Sequence, residues 1–245
     1  MFAITGASGQ LGRLVIERLL ERAPAGQVVA AMRDQAKGAD LSRLGVLLRE
    51  ADYKRPATLS KAFEGVDRVL LISSTEVVGR LPLHCVVIDA AQAQVISLFA
   101  YTSMLHADTS PARLAIEHRQ TEEAIKSSSL PVVIFRNGRY TENHLAALPS
   151  ALEHGALFGA ASDGRFSSAA RADYALAAAI ALTSEGQAGH SNLRRTMHFR
   201  LQSLLRRCRA SRAKRSLTVD PAPGRAGIVC AKKQQATKRE DDLNS

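Results

Sequence analysis

The stretch FAITGASGQLGRLVIERLL, residues 2–20, decides the fold of this chain. A short apolar run from Phe2 to Thr5 ends at Gly6, with Gly9 and Gly12 following at three-residue steps. Leu11, Val15 and Leu19 then recur along one helical face. The pattern predicts a strand, a tight turn and a helix in immediate succession.

The same alternation continues outward. Val28–Met32 reads as a second strand and Val46–Glu50 as a third, with a fourth in VDRVLLISS, a fifth in LFAYTSML and a sixth in PVVIFRNG. Helices are expected around Leu41, over Pro56–Phe63, over Pro82–Ala93 and over Pro111–Ser127. Nearly continuous apolar strands alternating with helices predict parallel strands buried on both faces and joined by crossovers. The expected class is α/β: a Rossmann-type, doubly wound parallel sheet with helices on both faces. Beyond it a helix is expected near Leu145–Leu152, then a glycine-rich loop through HGALFGAASDGRF and an alanine-rich helix over Ala172–Leu182.

A chain of 245 residues with 46% hydrophobic content can fill such a core. Cys85, Cys208 and Cys230 are too few and too widely spaced for a disulfide framework or a metal site. No apolar stretch approaches the ~20 residues that span a bilayer, and no signal-like segment opens the chain, so a soluble, cytoplasmic protein is expected. The net charge of +10 invites a nucleic-acid reading until it is located. Residues 1–189 carry nineteen Lys+Arg against nineteen Asp+Glu, whereas residues 190–245 carry fourteen against four. The body is neutral and only the tail is basic. Two parts are therefore expected, a neutral domain over 1–189 and a basic tail over 190–245.

In a Rossmann unit a pyrophosphate sits where the first helix begins, on backbone N–H groups and a partial positive charge. Gly6 permits the sharp turn, Gly9 the approach of the phosphates and Gly12 close packing of helix on sheet. A residue at the end of the second strand selects the cofactor: an acid binds the ribose hydroxyls of NAD, an arginine accommodates the 2′-phosphate of NADP. Arg33 stands there, with Asp34 one step on, which favours NADPH.

Together, AITGASGQLG, ADY, LLISSTEVVGR, AYTSMLHADTSP, FRNGRYTENHLA and RADYALAAA resemble the NmrA-like branch of the atypical short-chain dehydrogenases. Within it they resemble most the bacterial NADPH:quinone oxidoreductases, with triphenylmethane reductase nearby, and the resemblance covers about residues 1–189. It implies hydride transfer from NADPH to a small-molecule quinone. Carried over by position, Gly6, Ala7, Ser8, Gly9, Gln10 and Leu11 with Arg33 would hold the diphosphate and adenosine end. Ser73, Ser74 and Thr75 would line the groove. Asn137, Gly138, Arg139, Tyr140, Thr141, Glu142 and Arg171 would complete the cofactor site, with Tyr140 and Asn143 toward the substrate. Arg139 departs from the apolar or aromatic residue expected there, which alters the wall of the nicotinamide pocket. The resemblance also admits a non-enzymatic NADP-sensing regulator.

Most short-chain dehydrogenases carry a Tyr-x-x-x-Lys pair on the helix after the fifth strand, the lysine lowering the tyrosine pKa for proton donation. LAIEHRQTEEAIK has no such pair; its nearest spacing match is His118 with Glu122. This disfavours ordinary ketone chemistry and fits a quinone, which accepts hydride readily and takes its proton from solvent. His118 with Glu122 reads either as a proton relay or as a solvated i, i+4 pair, and no catalytic residue is assigned. His84, His106, His144 and His154 make no metal-ligand pattern, and no metal is expected. The residues name neither the particular quinone nor the proton donor nor an oligomeric state.

The tail from His190 to Ser245 is Arg-rich, with one aromatic residue, Phe199, and no recognisable nucleic-acid-binding module. Three readings compete: a basic arm for nucleic acid, a solvated disordered extension, and a change of reading frame near His190. Degenerate codons chosen for Asn192 to Thr218 and read from the third base give QLAPDDAFPLAELAAEVSRQSGKAIAY. That peptide has an apolar helical period and resembles the expected continuation of the family. The frame change is the favoured reading, and nucleic-acid binding the least favoured.

Overall fold

An apolar strand flanked by two others must bury both faces, and helices on either side are what bury them. The computed structural model describes residues 1–74, 79–154, 156–158, 165–184, 197–200, 216–220 and 227–231. These group into two compact units, Met1–Gly138 with Ala169–Thr196, and Arg139–Ser168 with Met197–Ser245.

The first unit begins with β1 (Phe2–Thr5), α1 (Gln10–Leu20), β2 (Val28–Met32), α2 (Ala39–Arg43), β3 (Leu47–Glu50) and α3 (Pro56–Ala62). It continues with β4 (Arg68–Leu71), α4 (Arg80–Ala93), β5 (Leu98–Met104), α5 (Arg113–Ser127) and β6 (Val132–Asn137). The six strands are parallel, in the order β3-β2-β1-β4-β5-β6. β1 lies centrally, with Phe2 opposite Val28 on one side and Arg68 on the other. The order reverses direction between β1 and β4, the switch point outside which open α/β sheets bind ligands.

One face of the sheet carries Ala3, Val29, Val69, Leu71, Phe99 and Tyr101, packed with Leu59, Phe63, Val87 and Ile125 from the helices. The second unit opens with β7 (Arg139–Tyr140), α6 (Thr141–Leu145), α7 (Leu148–His154), β8 (Ala156–Phe158) and β9 (Arg165–Ala169). The chain then re-enters the first unit as α8 (Arg171–Thr183), which packs on α1. Arg68 caps α8 by donating to the carbonyls of Leu182 at 2.5 Å and Ser184 at 2.8 Å, a cation at the negative end of a helix. Last come β10 (Met197–Arg200), β11 (Ser216–Asp220) and β12 (Gly227–Ala231). β10-β9-β7 and β11-β12-β8 form two three-stranded sheets.

The structure differs from the sequence expectation at several places. α4 starts at Arg80 rather than Pro82, because a proline in the first turn lacks only an N–H that has no helical partner there. The helix expected over Leu145–Leu152 is two helices, and Pro149 falls in the first turn of the second. The expected glycine-rich loop contains β8 and the start of β9. The tail, read without elements, contributes the β-branched runs SLTVD and GIVCA as strands. No helix among the described residues is long and apolar enough to cross a membrane.

Candidate functional site

At the end of β1, Gly6 takes φ +60°, a left-handed conformation that glycine adopts without strain. The Gly9 N–H donates to the Gly6 carbonyl at 2.9 Å, closing the turn. A Cβ placed on Gly12 would lie 2.5 Å from Gly6 O and 2.8 Å from Ala7 Cα, both backbone atoms. α1 therefore leans on the turn as closely as a backbone can. Its first turn has no side-chain cap and no acidic residue, so its N–H groups and positive end face the loop without a competing anion. Ser8, Gly9 and Gln10 are exposed, while Ala7 and Leu11 anchor the loop in the core. This is a cradle of the kind that a pyrophosphate occupies.

Beyond β2, Asp34 turns back on its own backbone, its carboxylate accepting from the Ala36 N–H at 3.1 Å. Arg13 of α1 pairs with Asp40 and donates to the Lys37 carbonyl at 2.5 Å. Its hydrogen bond holds the Asp40 carboxyl below the usual carboxylate range. The segment after β2 is thus tied to α1, its acid engaged locally, and Arg33 stands exposed at the strand end.

Along the carboxyl edge of the sheet, side chains replace ladder bonds where the strands diverge. The Ile72 N–H donates to Thr5 Oγ1 at 3.2 Å, and the Ser73 N–H to Thr102 Oγ1 at 2.9 Å. The Ser74 N–H donates to His84 Nε2 at 3.2 Å, and the Ser74 carbonyl accepts from Arg80 Nε at 3.1 Å. The Leu105 N–H donates to the Asn137 carbonyl at 2.8 Å, and the Gly138 N–H to Tyr174 Oη of α8 at 3.0 Å. A Cβ on Gly6 would meet Ile72 Cβ at 3.6 Å, so the glycine turn and the end of β4 are in contact across the switch point. The first unit thereby brings Gly6, Ser73, Ser74, Asn137 and Gly138 to the carboxyl ends of β1, β4 and β6. Arg171 is the first residue of α8. Thr75 lies outside the described residues.

Arg139, Tyr140, Thr141, Glu142 and Asn143 belong to the second unit. There Tyr140 ends β7 and precedes α6, Asn143 is exposed, and Thr141 Oγ1 lies 3.0 Å from Ser168 Oγ.

His118 and Glu122 are not the solvated pair that their spacing suggests. Both are buried, at 5% and 2% exposure, and each has its own partner. His118 Nδ1 lies 2.7 Å from Tyr101 Oη, and burial, then the charge of Arg80, depresses the imidazole to about 4. Burial works to raise Glu122, but hydrogen bonds from Arg136 and Ser103 outweigh it and hold the carboxyl below its ordinary value. Those bonds are short, 2.7 Å from Arg136 Nη2 and 2.6 Å from Ser103 Oγ. Spacing on one helix could not reveal these partners, which come from β5 and β6. Thr5, Arg80, Thr102 and Tyr174, which hold the edge, stand within the stretches that carry the resemblance but were given no role there, and His84 lies outside them. Only the i, i+4 spacing of Arg80 and His84 hinted at a shared face.

Comparison with known proteins places this geometry. The chain is 51% identical over 189 residues to quinone oxidoreductase 2 of Escherichia coli (strain K12), a match taking in 77% of this chain and 66% of that protein. It thus spans just under two thirds of that relative's length. Among solved structures it is similar to the E. coli NADPH-dependent quinone oxidoreductase complexed with NADPH, with a TM-score of 0.82 at 46% identity over 86% of this chain and 75% of that one. It is also similar to the Citrobacter sp. triphenylmethane reductase complexed with NADP(H), with a TM-score of 0.81 at 34% identity over 86% and 75%. Residues 6–185 match the model of the NAD(P)H-binding family, a span that starts at the glycine turn and runs to just beyond α8, and on that match the chain belongs to this family.

Proposed function

We propose that the chain binds NADPH at the carboxyl edge of its parallel sheet and serves, in the cytoplasm, to reduce a small-molecule quinone. The observation that carries the reading is the cradle: an uncapped helix start behind Gly6, Gly9 and Gly12, at the switch point of a 3-2-1-4-5-6 sheet. The likeness to NADPH-dependent quinone reductases, and the wider NmrA-like resemblance, support the same activity over a purely regulatory role. Bound NADPH supplies the hydride. Gly6–Leu11 hold its diphosphate, Arg33 its 2′-phosphate, and Ser73, Ser74, Thr75, Asn137, Gly138 and Arg171 its groove. By the resemblance, Arg139, Tyr140, Thr141 and Glu142 are assigned to the cofactor, and Tyr140 and Asn143 to the substrate. No side chain is asked to transfer a proton, because the hydroquinone oxygen takes one from water.

Arg33→Glu tests the cofactor assignment. Losing a charge-assisted contact and adding repulsion should weaken NADPH binding roughly 100-fold while leaving NADH binding nearly unchanged. Fluorescence titration with both cofactors reads this out, and equal loss for both would remove the role of Arg33. Quinone-dependent oxidation of NADPH, followed by its absorbance, tests the activity.

We further read residues 190–245 as out of frame. The sequence likeness to the E. coli relative takes in 77% of this chain, and the whole excess of positive charge lies in residues 190–245. Sequencing gene and transcript from the codon for Glu185 to that for Thr218 should reveal one inserted or deleted base. A clean frame would make the basic tail genuine.

A further inference from the structure

The end of β4 is gripped by one helix in a way that packing does not require. Arg80 and His84, four apart on α4, take the carbonyl and the N–H of the same residue, Ser74. Behind them stand Glu117 and Thr121, four apart on α5. His84 Nδ1 is 3.2 Å from Thr121 Oγ1, and Arg80 Nη1 is 3.7 Å from Glu117 Oε2. Thr121 spends its own hydroxyl proton on the Glu117 carbonyl at 2.9 Å, so His84 Nδ1–H must be the donor to Thr121. That leaves Nε2 as the acceptor that Ser74 needs.

The arrangement is costly. Arg80 is 3% exposed and His84 fully buried, and neither Arg80 Nη1 nor Glu117 Oε2 has a hydrogen-bond partner among the described residues. A buried ion pair that closes no hydrogen bond is poor at stabilising a fold, and apolar residues of similar volume would serve stability better. What the two side chains do accomplish is to fix both backbone polar groups of one residue at the wall of the proposed groove.

We infer that Arg80 and His84 are positioning residues that pin Ser74 from below, with Thr121 setting the His84 tautomer, and so hold the β4 wall in the shape that receives NADPH. The inference rests on the dinucleotide reading above. Its test uses the full chain and three variants, His84→Leu, His84→Gln and Thr121→Val, with two readouts. These are the exchange rate of the Ser74 amide by NMR, compared with the global rate set by stability in urea, and the NADPH dissociation constant by fluorescence.

In His84→Leu the Ser74 amide should exchange roughly tenfold to hundredfold faster than global stability accounts for, and NADPH should bind weaker by a similar factor. His84→Gln, whose Oε1 can accept from Ser74, should recover most of both. Thr121→Val should produce a smaller change of the same kind, so the inference stays testable if His84→Leu does not fold. Unchanged Ser74 protection, or unchanged NADPH affinity in a wild-type chain that binds it, overturns the inference alone. A wild-type chain that binds no NADPH, with Ser74 protection responding as expected, overturns the dinucleotide reading and the inference with it.

Discussion

Acidification from pH 7 to pH 4 is expected to remove a large part of the stability of the first unit, and the loss should begin well above the carboxylate range. His84 is held near 3 by burial, then by Arg80 and His118, and His118 near 4 by burial and Arg80. The unfolded imidazole titrates near 6.5. Each is therefore neutral in the fold, and its contribution is complete above pH 6.5 and lost as pH falls toward the folded value. In that window the unfolded chain binds more protons, so stability rises with pH. At about 1.4 kcal/mol per unit of depression, the loss by pH 4 is on the order of 6 kcal/mol for the two together, against a typical net stability of about 5–15 kcal/mol. Glu122 acts later, since its depressed pKa places its loss below the ordinary carboxylate value. Urea midpoints at pH 7, 6, 5 and 4 should fall steadily, and His118→Gln should flatten the slope by roughly half. His154→Gln, at the exposed end of α7 in the second unit, serves as the control. A flat midpoint between pH 7 and pH 5 would mean that the two imidazoles are not held neutral.

Gly12→Val should abolish cofactor binding. Even the first carbon of the new side chain would lie 2.5 Å from Gly6 O and 2.8 Å from Ala7 Cα, and neither backbone atom can rotate away. α1 must move off the turn, which costs about 1–3 kcal/mol in overpacking and carries the N–H groups away from the phosphates. NADPH affinity should drop more than about 100-fold, because several charge-assisted hydrogen bonds are lost together. Gly26→Ala is the matched control: nothing lies within 4 Å of its added carbon, and stability and binding should stay near wild type. Wild-type NADPH affinity in Gly12→Val would show that the turn is no rigid cradle.

These two predictions differ in how far the sequence announced them. Gly12 was legible because a phosphate turn is local: strand, glycines and helix lie within twenty residues, and backbone sterics leave few alternatives. The six strands were legible for the same reason, as apolar runs whose alternation with helices forces crossovers. The histidines were not. His118 looked like half of a solvated helical pair, yet Tyr101 reaches it from β5, while Arg136 and Ser103 claim Glu122 from β6 and β5. Partners on different strands leave no periodic trace. Arg80 and His84 were hidden similarly, since their target is a backbone group and any residue type at position 74 would present it. The split at Pro149 and the strands β8 and β9 lie where propensities are weak and pairing decides.

The central place of β1 also sets the order of assembly. Phe2 meets Val28 after a short excursion of chain, but meets Arg68 only after β2, β3 and three helices have intervened. Closing the longer loop is the slower event, since more chain entropy is lost before contacts repay it. A half of β1, β2 and β3 therefore forms first, with one edge of β1 open until β4 arrives. That open edge is the moment at which the chain is most prone to pair with another copy. The same seam that makes room for a ligand in the finished protein is a long-range closure in the making of the sheet, and a point at which misassembly should be sought during expression.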